Sequence, residues 1–402
     1  MKILLLSFYY QPDLCAGSFR NTALVEALKR KYGQDMEVDV LTTMPNRYDT
    51  FKQTGEAVES DGIINVWRIQ LPRHKSGFVD QIWSFRAYQR GVMNILAKNN
   101  TSYDLVVASS SRLFTAYLGA RVANSRKLPL YLDIRDIFTD TIEDVVKNKL
   151  VLYTVLPVLK AIEKYTIKSA THLNIVSGGF EDYFRKYYSG SVTKFTNGID
   201  LKFLDFDYIR KPQGYDERQI VTYAGNIGEG QGLEKIIPQI AALTKDRFVF
   251  RIIGDGGTKT KLVKVIQDLG VSNVELVNPV NRDELNEHYK SSDFLFLHLN
   301  DYEAFHKVLP SKIFEYAATN KPMIAGVSGF ARKFLENEVN NVILFDPCDA
   351  ADLNKKLSDY TPVSPDRSGF IAKFQRDNIM DEMAESLVGV ASTKSVTFVD
   401  AV

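Results

Sequence analysis

Glu315 lies one turn into a predicted helix, and the residues around it suit the binding of a ligand. The stretch VLPSKIFEYAATNKPMIAG predicts a helix with Pro310 in its first turn, where a missing N–H costs nothing. Backbone N–H groups of Ser311, Lys312 and Ile313 would then point out of the helix end toward a phosphate. The carboxylate of Glu315 can accept hydrogen bonds from two vicinal hydroxyls, as acids of dinucleotide folds do with ribose. The spacing suits a ribose diphosphate, and a solvated helix glutamate is the alternative.

A glycine-rich turn, NIGEGQG, offers a second candidate site. It places Asn226 and the glycines Gly225, Gly228, Gly230 and Gly232 between a predicted strand and a helix. Glycine there lets the backbone approach a pyrophosphate closely. The strict dinucleotide fingerprint is absent, so we do not expect a nicotinamide cofactor. A tight turn without a ligand is the alternative.

A cluster of charged residues follows a predicted strand in YLDIRDIFTD, where Asp133, Arg135 and Asp136 lie past the strand's carboxyl end. One of these acids can orient a substrate hydroxyl or take its proton. A structural ion-pair cluster is an equally good interpretation. We expect no metal, because no carboxylate–histidine group with ligand spacing lies nearby. His298 lies inside a predicted strand, so we expect it in the core.

Short apolar runs alternate with helical patterns along the whole chain. Runs that are apolar at nearly every position indicate strands buried on both faces, and therefore parallel sheets covered by helices. The runs are 2–7, 37–42, 64–69, 104–109, 128–133, 171–176, 219–225, 247–254, 273–277, 293–299, 321–326 and 341–345. The alternation predicts an α/β protein with doubly wound parallel sheets.

The alternation stops once, at TNGIDLKFLDFDYIRKPQGYDE, and divides the chain into two domains. We predict Rossmann-like domains at 1–200 and 217–364, joined by a linker at 201–216. Residues 365–402 are predicted to form a helix, ending near Val390, and a tail that pack back on the first domain. Two such sheets would face a common cleft with their carboxyl ends, where ligands of these folds bind.

The composition of the 402 residues excludes several classes of protein. Fifty basic residues against 49 acidic leave a net charge of +1, so no nucleic-acid partner is indicated. The two cysteines form no C-x-x-C pair, which is typical of a reducing compartment. The longest apolar run, LVLYTVLPVL, is too short to span a bilayer. We therefore expect a cytoplasmic protein.

The motifs together resemble the retaining GT-B glycosyltransferases of family four, whose donor-binding helix often reads P-S-K-x-x-E-Y-x-x-x-x-K-P. The resemblance covers essentially the whole chain. Further matching segments are GSFR (17–20), SGGFEDYF (177–184), TNGID (196–200), YAGNIGEGQGLE (223–234) and IIGDG (252–256). The resemblance implies two facing domains, a nucleotide-sugar co-substrate and no other cofactor or metal.

The resemblance also implies roles for single residues. Gly17 and Arg20 would meet the transferred sugar and its phosphate. The loop Asn278, Pro279 and Val280 would hold the base, although an ordinary turn with Asn281 capping the next helix explains that segment equally well. In the loop before the donor helix, Glu303 would receive a sugar hydroxyl.

Three positions depart from the family pattern. Lys307 stands where many members carry a first glutamate, and Asn226 and Gln231 stand where many carry cations for the diphosphate. A helix end contributes only about 0.3–1 kcal/mol toward an anion. We therefore expect Lys312 or Lys307 to supply a cation.

The resemblance implies sugar transfer with retention from a nucleotide donor, expected to be UDP, to a polyprenyl-diphosphate-linked saccharide in surface-polysaccharide synthesis. It favours a hexosyl or N-acetylhexosaminyl transferase of the O-antigen or capsule type. The alternatives are a GT-B nucleotide-sugar epimerase and a non-catalytic two-lobed sugar-binding protein.

Two stretches of the first domain are locally basic. Residues 73–98 and 147–168 each hold five Arg or Lys against one acid, interleaved with apolar residues that include Trp83. Such segments are attracted to an anionic bilayer by about 1 kcal/mol per cation. We expect peripheral attachment to the inner face of the membrane; two amphipathic helices with solvated lysines are the alternative.

Overall fold

A computed structural model describes residues 1–46, 55–72, 78–99, 101–110, 112–145, 149–204, 218–361, 363 and 366–397. Contacts within the chain divide it into two units. The first unit combines Met1–Asn197 with the segment that begins at Arg376, and the second is Gly198–Gln375. The second unit therefore runs eleven residues past the predicted end at 364. Residues 205–216 of the predicted linker lie outside the described residues.

The first unit is built on an eight-stranded sheet. Its strands are β1 (Lys2–Leu6), β2 (Glu37–Thr43), β3 (Val58–Ser60), β4 (Ile64–Ile69), β5 (Leu105–Ser109), β6 (Leu130–Ile134), β7 (His172–Ile175) and β8 (Ser191–Thr193). The strand order is β3-β4-β2-β1-β5-β6-β7-β8, and every pair is parallel except β3 with β4. The order reverses between β1 and β5, so the loops that follow these strands meet at one edge of the sheet.

Helices connect the strands of the first unit. They are α1 (Ala16–Tyr32), α2 (Phe78–Lys98), α3 (Leu113–Arg126), α4 (Phe138–Val145), α5 (Lys149–Lys168) and α6 (Glu181–Arg185). The C-terminal helix of the chain (Arg376–Thr397) packs against α1 and belongs to this unit. It runs past Val390, where the sequence pattern predicted the helix to end.

The second unit holds a six-stranded, wholly parallel sheet. Its strands are β9 (Gln219–Asn226), β10 (Phe248–Asp255), β11 (Val274–Val277), β12 (Phe294–His298), β13 (Met323–Gly326) and β14 (Val342–Phe345). Their order is β11-β10-β9-β12-β13-β14, with the reversal between β9 and β12. The loops after these two strands therefore lie side by side.

The helices of the second unit follow each strand in turn. They are α7 (Leu233–Leu243), α8 (Lys259–Asp268), α9 (Arg282–Lys290), α10 (Lys312–Ala318), α11 (Gly329–Glu338), α12 (Ala350–Asp359) and α13 (Ser368–Phe374). The C-terminal helix of the chain, Arg376–Thr397, belongs to the first unit and is α14. Buried Ile, Leu, Val and Phe side chains of α7 and the central strands form one core under the sheet. This core holds the strand ends, and with them the loops of the candidate site, in place.

All twelve strands predicted from apolar runs are confirmed, each within two residues of its predicted ends. The strands β3 and β8 were not predicted. Each is three residues long and lies at a sheet edge, where most of its residues are exposed or half-buried. Such a segment carries too little apolar pattern to be recognised.

Candidate functional site

The short helix α10 begins at Lys312, with Ser311 at its N-cap and Pro310 just before it. The Ile313 N–H donates to the Pro310 carbonyl at 3.1 Å. The prediction that three successive amides face a phosphate is therefore wrong for Ile313, whose N–H is used inside the first turn. With seven residues, the helix also has little dipole to offer an anion.

Glu315 is buried and paired. Its Oε2 lies 2.8 Å from Nζ of Lys312, and its side chain is only 11% exposed. The alternative of a solvated helix glutamate is therefore wrong. The pair lies against the glycine turn, because a Cβ on Gly225 would stand 3.3 Å from Cε of Lys312. An acid and a cation are thus held together beside the carboxyl end of β9.

Two side chains fasten α10 to the sheet. The Tyr316 hydroxyl accepts the Ala224 N–H at the end of β9, at 3.2 Å. The buried Arg367 donates from Nη1 to the carbonyls of Tyr316 and Thr319, both at 3.0 Å, and so caps the carboxyl end of the helix. The sequence analysis missed Arg367, because nothing in its local pattern connects it to a helix about fifty residues earlier.

The glycine turn after β9 is ordered by its own amide side chains. Oε1 of Gln231 accepts from Nδ2 of Asn226 at 3.0 Å and from the Gly228 N–H at 3.2 Å. The two residues that replace the family's cations therefore bind each other. At Gly225 the backbone also lies close to the end of β10, since a Cβ on Gly254 would lie 1.9 Å from the Gly225 carbonyl oxygen.

The loop after β11 contains the three residues expected to hold a base. Asn278 is exposed, and Pro279 and Val280 are half-buried. The Asn278 Oδ1 accepts from Nζ of Lys259 at 3.1 Å, and the same ammonium donates to the Gly254 carbonyl at 3.1 Å. The sequence analysis missed Lys259, which brings another cation to this edge.

The predicted helix cap after this loop is confirmed. Asn281 is the N-cap of α9, and its Oδ1 accepts the Glu284 N–H at 3.0 Å. Its Nδ2 also donates to Glu284 Oε1 at 2.9 Å, so a bond between the two side chains supports the cap.

The loop between β12 and α10 packs on the glycine turn. The Phe305 ring stands where a Cβ of Gly230 would be, 2.7 Å from Cζ. Lys307 is half-buried, and the Glu303 side chain is 83% exposed at 3.7 Å from Nδ1 of His306. Glu303, Lys307, Lys312 and Glu315 therefore share the edge of the sheet with the glycine turn.

In the first unit, Arg20 and Asp133 form a buried ion pair. Arg20 Nε lies 2.8 Å from Asp133 Oδ2, and both side chains are 1% exposed. Arg20 also donates to the carbonyls of Phe195 and Thr196. With no surface to offer a substrate, Arg20 and Asp133 are better described as positioning residues, which supports the ion-pair interpretation of Asp133.

Arg135 lies next to the first turn of α1. Its Nη1 is 2.7 Å from the position that a Cβ on Gly17 would occupy, so a side chain there would displace the guanidinium. That nitrogen is buried without a hydrogen-bond partner among the described residues. Burial lowers the pKa of Arg135 to about 10, and Asp133 only partly opposes the shift. The group remains a cation at neutral pH.

Asp136 follows directly and has a different environment. Burial of its carboxyl among neighbouring atoms raises the pKa of Asp136 to about 6, although hydrogen bonds from Ile137 and Thr141 oppose the shift. The residue nevertheless keeps an exposed surface. A carboxyl group with a pKa near neutrality is suited to accept a proton or a hydroxyl hydrogen bond.

Two further observations concern the described residues. No three His, Cys, Asp or Glu among them are grouped so as to hold a metal ion. No helix in the described ranges is both long and apolar enough to cross a membrane.

Residues 205–371 match the family "Glycosyl transferases group 1". The chain carries a glycosyl transferases group 1 domain. This domain covers the glycine turn, α10 and the loops around them, so the second unit holds the part of the site that the family shares.

Similarity to known proteins extends over both units. The chain is 25% identical over 339 residues to the "Putative colanic acid biosynthesis glycosyl transferase WcaI" of Escherichia coli (strain K12), covering 78% of this chain and 80% of the relative. Sucrose-phosphate synthase from Thermosynechococcus elongatus is similar in structure, with a TM-score of 0.67 at 14% identity over 100% of this chain and 98% of that one. Anabaena HepE, solved with UDP and glucose, has a TM-score of 0.61 at 16% identity over the whole of both chains. The predicted GT-B fold with two parallel-sheet domains is confirmed.

Proposed function

We propose that the chain transfers a sugar, with retention, from a UDP-sugar to a lipid-linked saccharide during surface-polysaccharide synthesis. The observation that carries the proposal is the buried Glu315–Lys312 pair against Gly225, inside a glycosyl transferases group 1 domain. A buried acid and a cation beside a glycine turn offer hydrogen-bond acceptors to a ribose and a positive charge to a phosphate. Glycosyl transfer from a nucleotide donor needs both.

The donor would lie along the loops of the second unit. Glu315 accepts hydrogen bonds from the ribose hydroxyls, and Lys312 and Lys307 face the diphosphate. The backbone at Gly225 and Gly228, with Ser311 and Asn226 beside it, lets the phosphates approach closely. In the same proposal Asn278, Pro279 and Val280 hold the base, and Glu303 accepts a hydroxyl of the sugar.

The identity of the donor and acceptor draws on relatives. HepE has been solved with UDP and with UDP-glucose, which supports UDP as the nucleotide. The name of WcaI refers to colanic acid biosynthesis, which supports a surface polysaccharide as the product. We extend both to this chain, with a hexose or N-acetylhexosamine as the transferred sugar and a polyprenyl-diphosphate-linked saccharide as the acceptor.

The first unit would provide the acceptor side of the reaction. Arg135, beside Gly17, offers a positive charge to an anionic group, and Asp136 orients the acceptor hydroxyl. For transfer with retention, the leaving diphosphate itself accepts the hydroxyl proton as the new bond forms on the same face. Catalysis then rests on positioning and on electrostatic stabilisation of the departing UDP.

A thermal-shift panel tests the donor site. UDP, GDP, TDP and their sugars are added to the wild-type chain and to Glu315→Ala. A nucleotide that binds only the folded protein raises the melting temperature by mass action. We expect UDP and a UDP-sugar to raise it in the wild type and much less in the variant. No shift with any nucleotide would contradict the proposal.

The cations of the donor site need a separate experiment. Lys312 is already paired with Glu315, so its charge is partly balanced before a ligand arrives. The double variant Lys307→Ala, Lys312→Ala should bind UDP at least tenfold more weakly, because each lost charge-assisted hydrogen bond is worth about 1.5–3 kcal/mol. Unchanged affinity would refute the role of both lysines.

Membrane attachment is the last part of the proposal. On α2, Trp83 is 53% exposed, and on α5, Tyr153 is 85% exposed. The helix α3 packs against both α2 and α5. Exposed cations on the same two helices are Arg86, Arg90, Lys98, Lys160, Lys164 and Lys168. Cations beside exposed aromatic rings suit an anionic headgroup layer. Phe85 and Tyr88, two further aromatic residues of the basic stretch 73–98, are buried, so their rings cannot contact lipid.

Sedimentation with vesicles tests the attachment. The chain should pellet with vesicles of phosphatidylglycerol and phosphatidylcholine at low salt and be released by high salt. The double variant Lys160→Glu, Lys164→Glu should stay in the supernatant. Its matched control is Lys355→Glu, Lys356→Glu, which changes the same charge on α12 of the second unit and should still pellet. If both double variants lost vesicle binding equally, or if the wild-type chain did not bind vesicles, the face on α2 and α5 would be excluded as the attachment surface.

A further inference from the structure

His298 is a fully buried histidine at the carboxyl end of β12. Its imidazole stacks on the rings of Phe296 and Phe345, with centroids 6.2 and 5.9 Å away. A Cβ on Gly326 would lie 2.5 Å from the His298 ring, so the neighbouring strand carries glycine where the imidazole needs room. The predicted core position is confirmed.

Both ring nitrogens of His298 bind the backbone of other loops. Nδ1 lies 2.6 Å from the Gln231 carbonyl oxygen, and Nε2 accepts the Cys348 N–H at 2.9 Å. A carbonyl can only accept and an amide N–H can only donate, so Nδ1 carries the proton and Nε2 is bare. Burial lowers the pKa of His298 to about 4, in keeping with this neutral tautomer.

The two bonds join the glycine turn to the loop that follows the edge strand β14. Gln231 is the residue whose side chain orders Asn226 and Gly228. Cys348 has φ of +63°, a conformation that residues other than glycine seldom adopt, and its bond to His298 helps to hold it there. One ring thus spans the loops that follow β9 and β14.

We propose that His298 is a positioning residue for the donor nucleotide, holding Gln231 through Nδ1–H and thereby fixing the glycine turn in the shape that admits a pyrophosphate. The nucleotide part of this inference rests on the proposed function. Asn300 holds the same turn independently, through its N–H to the Gly230 carbonyl at 2.8 Å and its Nδ2 to the Glu229 carbonyl at 2.9 Å. Loss of the His298 bond should therefore loosen the turn around Gln231 without unfolding it.

Three substitutions separate the two bonds. His298→Asn places an amide nitrogen near the position of Nδ1 and can keep the bond to Gln231. His298→Gln reaches the position of Nε2 and can keep the bond to Cys348, while His298→Phe removes both. Hydrogen exchange of the full chain without ligand then reports on each loop. We expect the Gly228 and Gln231 amides to exchange at least tenfold faster in the Gln and Phe variants but not in the Asn variant. The Cys348 amide should exchange faster in the Asn variant than in the Gln variant.

Affinity for UDP, GDP and TDP, measured by calorimetry on the same variants, tests the consequence for the nucleotide. The Asn variant should stay within about threefold of the wild type, and the Gln and Phe variants should bind at least tenfold more weakly. His172→Asn, at a buried histidine of the first unit, is the control and should leave affinity unchanged.

The outcomes distinguish this inference from the proposed function. The positioning role would be overturned if His298→Asn and His298→Gln changed the exchange of the Gly228 amide equally. It would also be overturned if His298→Phe left that exchange unchanged. If none of the three nucleotides binds the wild-type chain, the proposed function fails, and the exchange pattern alone supports or overturns the role of His298 in ordering the turn.

Discussion

Arg20 and Asp133 meet at two points away from solvent, with Arg20 Nε 2.8 Å from Asp133 Oδ2 and Nη2 2.9 Å from Oδ1. Asn174 donates to the same carboxylate at 2.8 Å. Burial alone would raise the pKa of Asp133, but the Arg20 guanidinium holds that pKa below its usual value. The pair therefore joins α1 to β6 and, through Arg20, to the carbonyls of Phe195 and Thr196.

Removal of one partner should be costly because the other charge stays buried. We expect Arg20→Ala to lower the free energy of unfolding by about 3–5 kcal/mol, measured by urea denaturation followed by circular dichroism. Arg30→Ala on the same helix is the control. Arg30 pairs with Asp381 at 2.6 Å on the surface and should cost less than about 1 kcal/mol. Similar small losses in both variants would show that the buried pair does not hold the unit together.

The charge of Glu315 should decide donor affinity. Glu315→Gln keeps the volume of the side chain but removes the carboxylate charge that faces Lys312. A hydrogen bond to a charged group is worth about 1.5–3 kcal/mol against about 0.5–1.5 for a neutral one. We therefore expect the dissociation constant of a UDP-sugar, measured by calorimetry, to rise about tenfold. Glu336→Gln, which removes an exposed partner of Arg332 on α11, should leave it unchanged. A tight complex with Glu315→Gln would contradict the ribose contact.

Asp136 should make stability depend on pH in a defined direction. Its pKa is raised from 3.8 to about 6, so the folded chain binds this proton more tightly than the unfolded chain does. The stabilisation is fully present below about pH 4 and is lost as the pH rises through about 6. Asp136→Asn, which mimics the neutral acid, should raise the urea midpoint at pH 7.5 and change it little at pH 4.

The exposed Asp182→Asn in the same unit is the control and should shift the two midpoints alike. If Asp136→Asn shifted the urea midpoint equally at both pH values, the carboxyl of Asp136 would not be desolvated in the folded chain. In the transfer reaction, the same variant should be slow at every pH if Asp136 orients the acceptor hydroxyl.

Gly254, at the end of β10, and Gly257, three residues later, form a matched pair of test positions. Gly254 has φ of +143°, and a Cβ there would stand 1.9 Å from the Gly225 carbonyl oxygen, whereas a Cβ on Gly257 meets nothing within 4 Å. Gly254→Ala should cost about 1–3 kcal/mol of strain or more and weaken UDP binding, since it pushes on the glycine turn. Gly257→Ala should change stability by no more than about 0.5 kcal/mol. Equal melting temperatures in the two variants would contradict this contact.

Much of the fold is visible in the sequence because strands buried on both faces need apolar residues at nearly every position. The runs that begin at Lys2 and Gln219 show this pattern, and each forms a central strand of its sheet. The helix that carries Glu315 was likewise predictable in place, although its first turn was not. Whether the Ile313 amide is free depends on the backbone conformation at Pro310 and Ser311, which residue types do not specify.

The candidate site, too, was predictable from the sequence only in part. The local sequence pattern and the family resemblance predicted the two sheets, the glycine turn and the acid at position 315. Only the tertiary structure showed that Arg20 is buried against Asp133, 113 residues away, while Arg135 lies beside Gly17. The roles of Arg367 and His298 also became visible only there. Hydrophobic periodicity is a property of neighbouring residues, whereas a buried polar group finds its partner wherever the folded chain places one, and that partner can lie anywhere in the sequence.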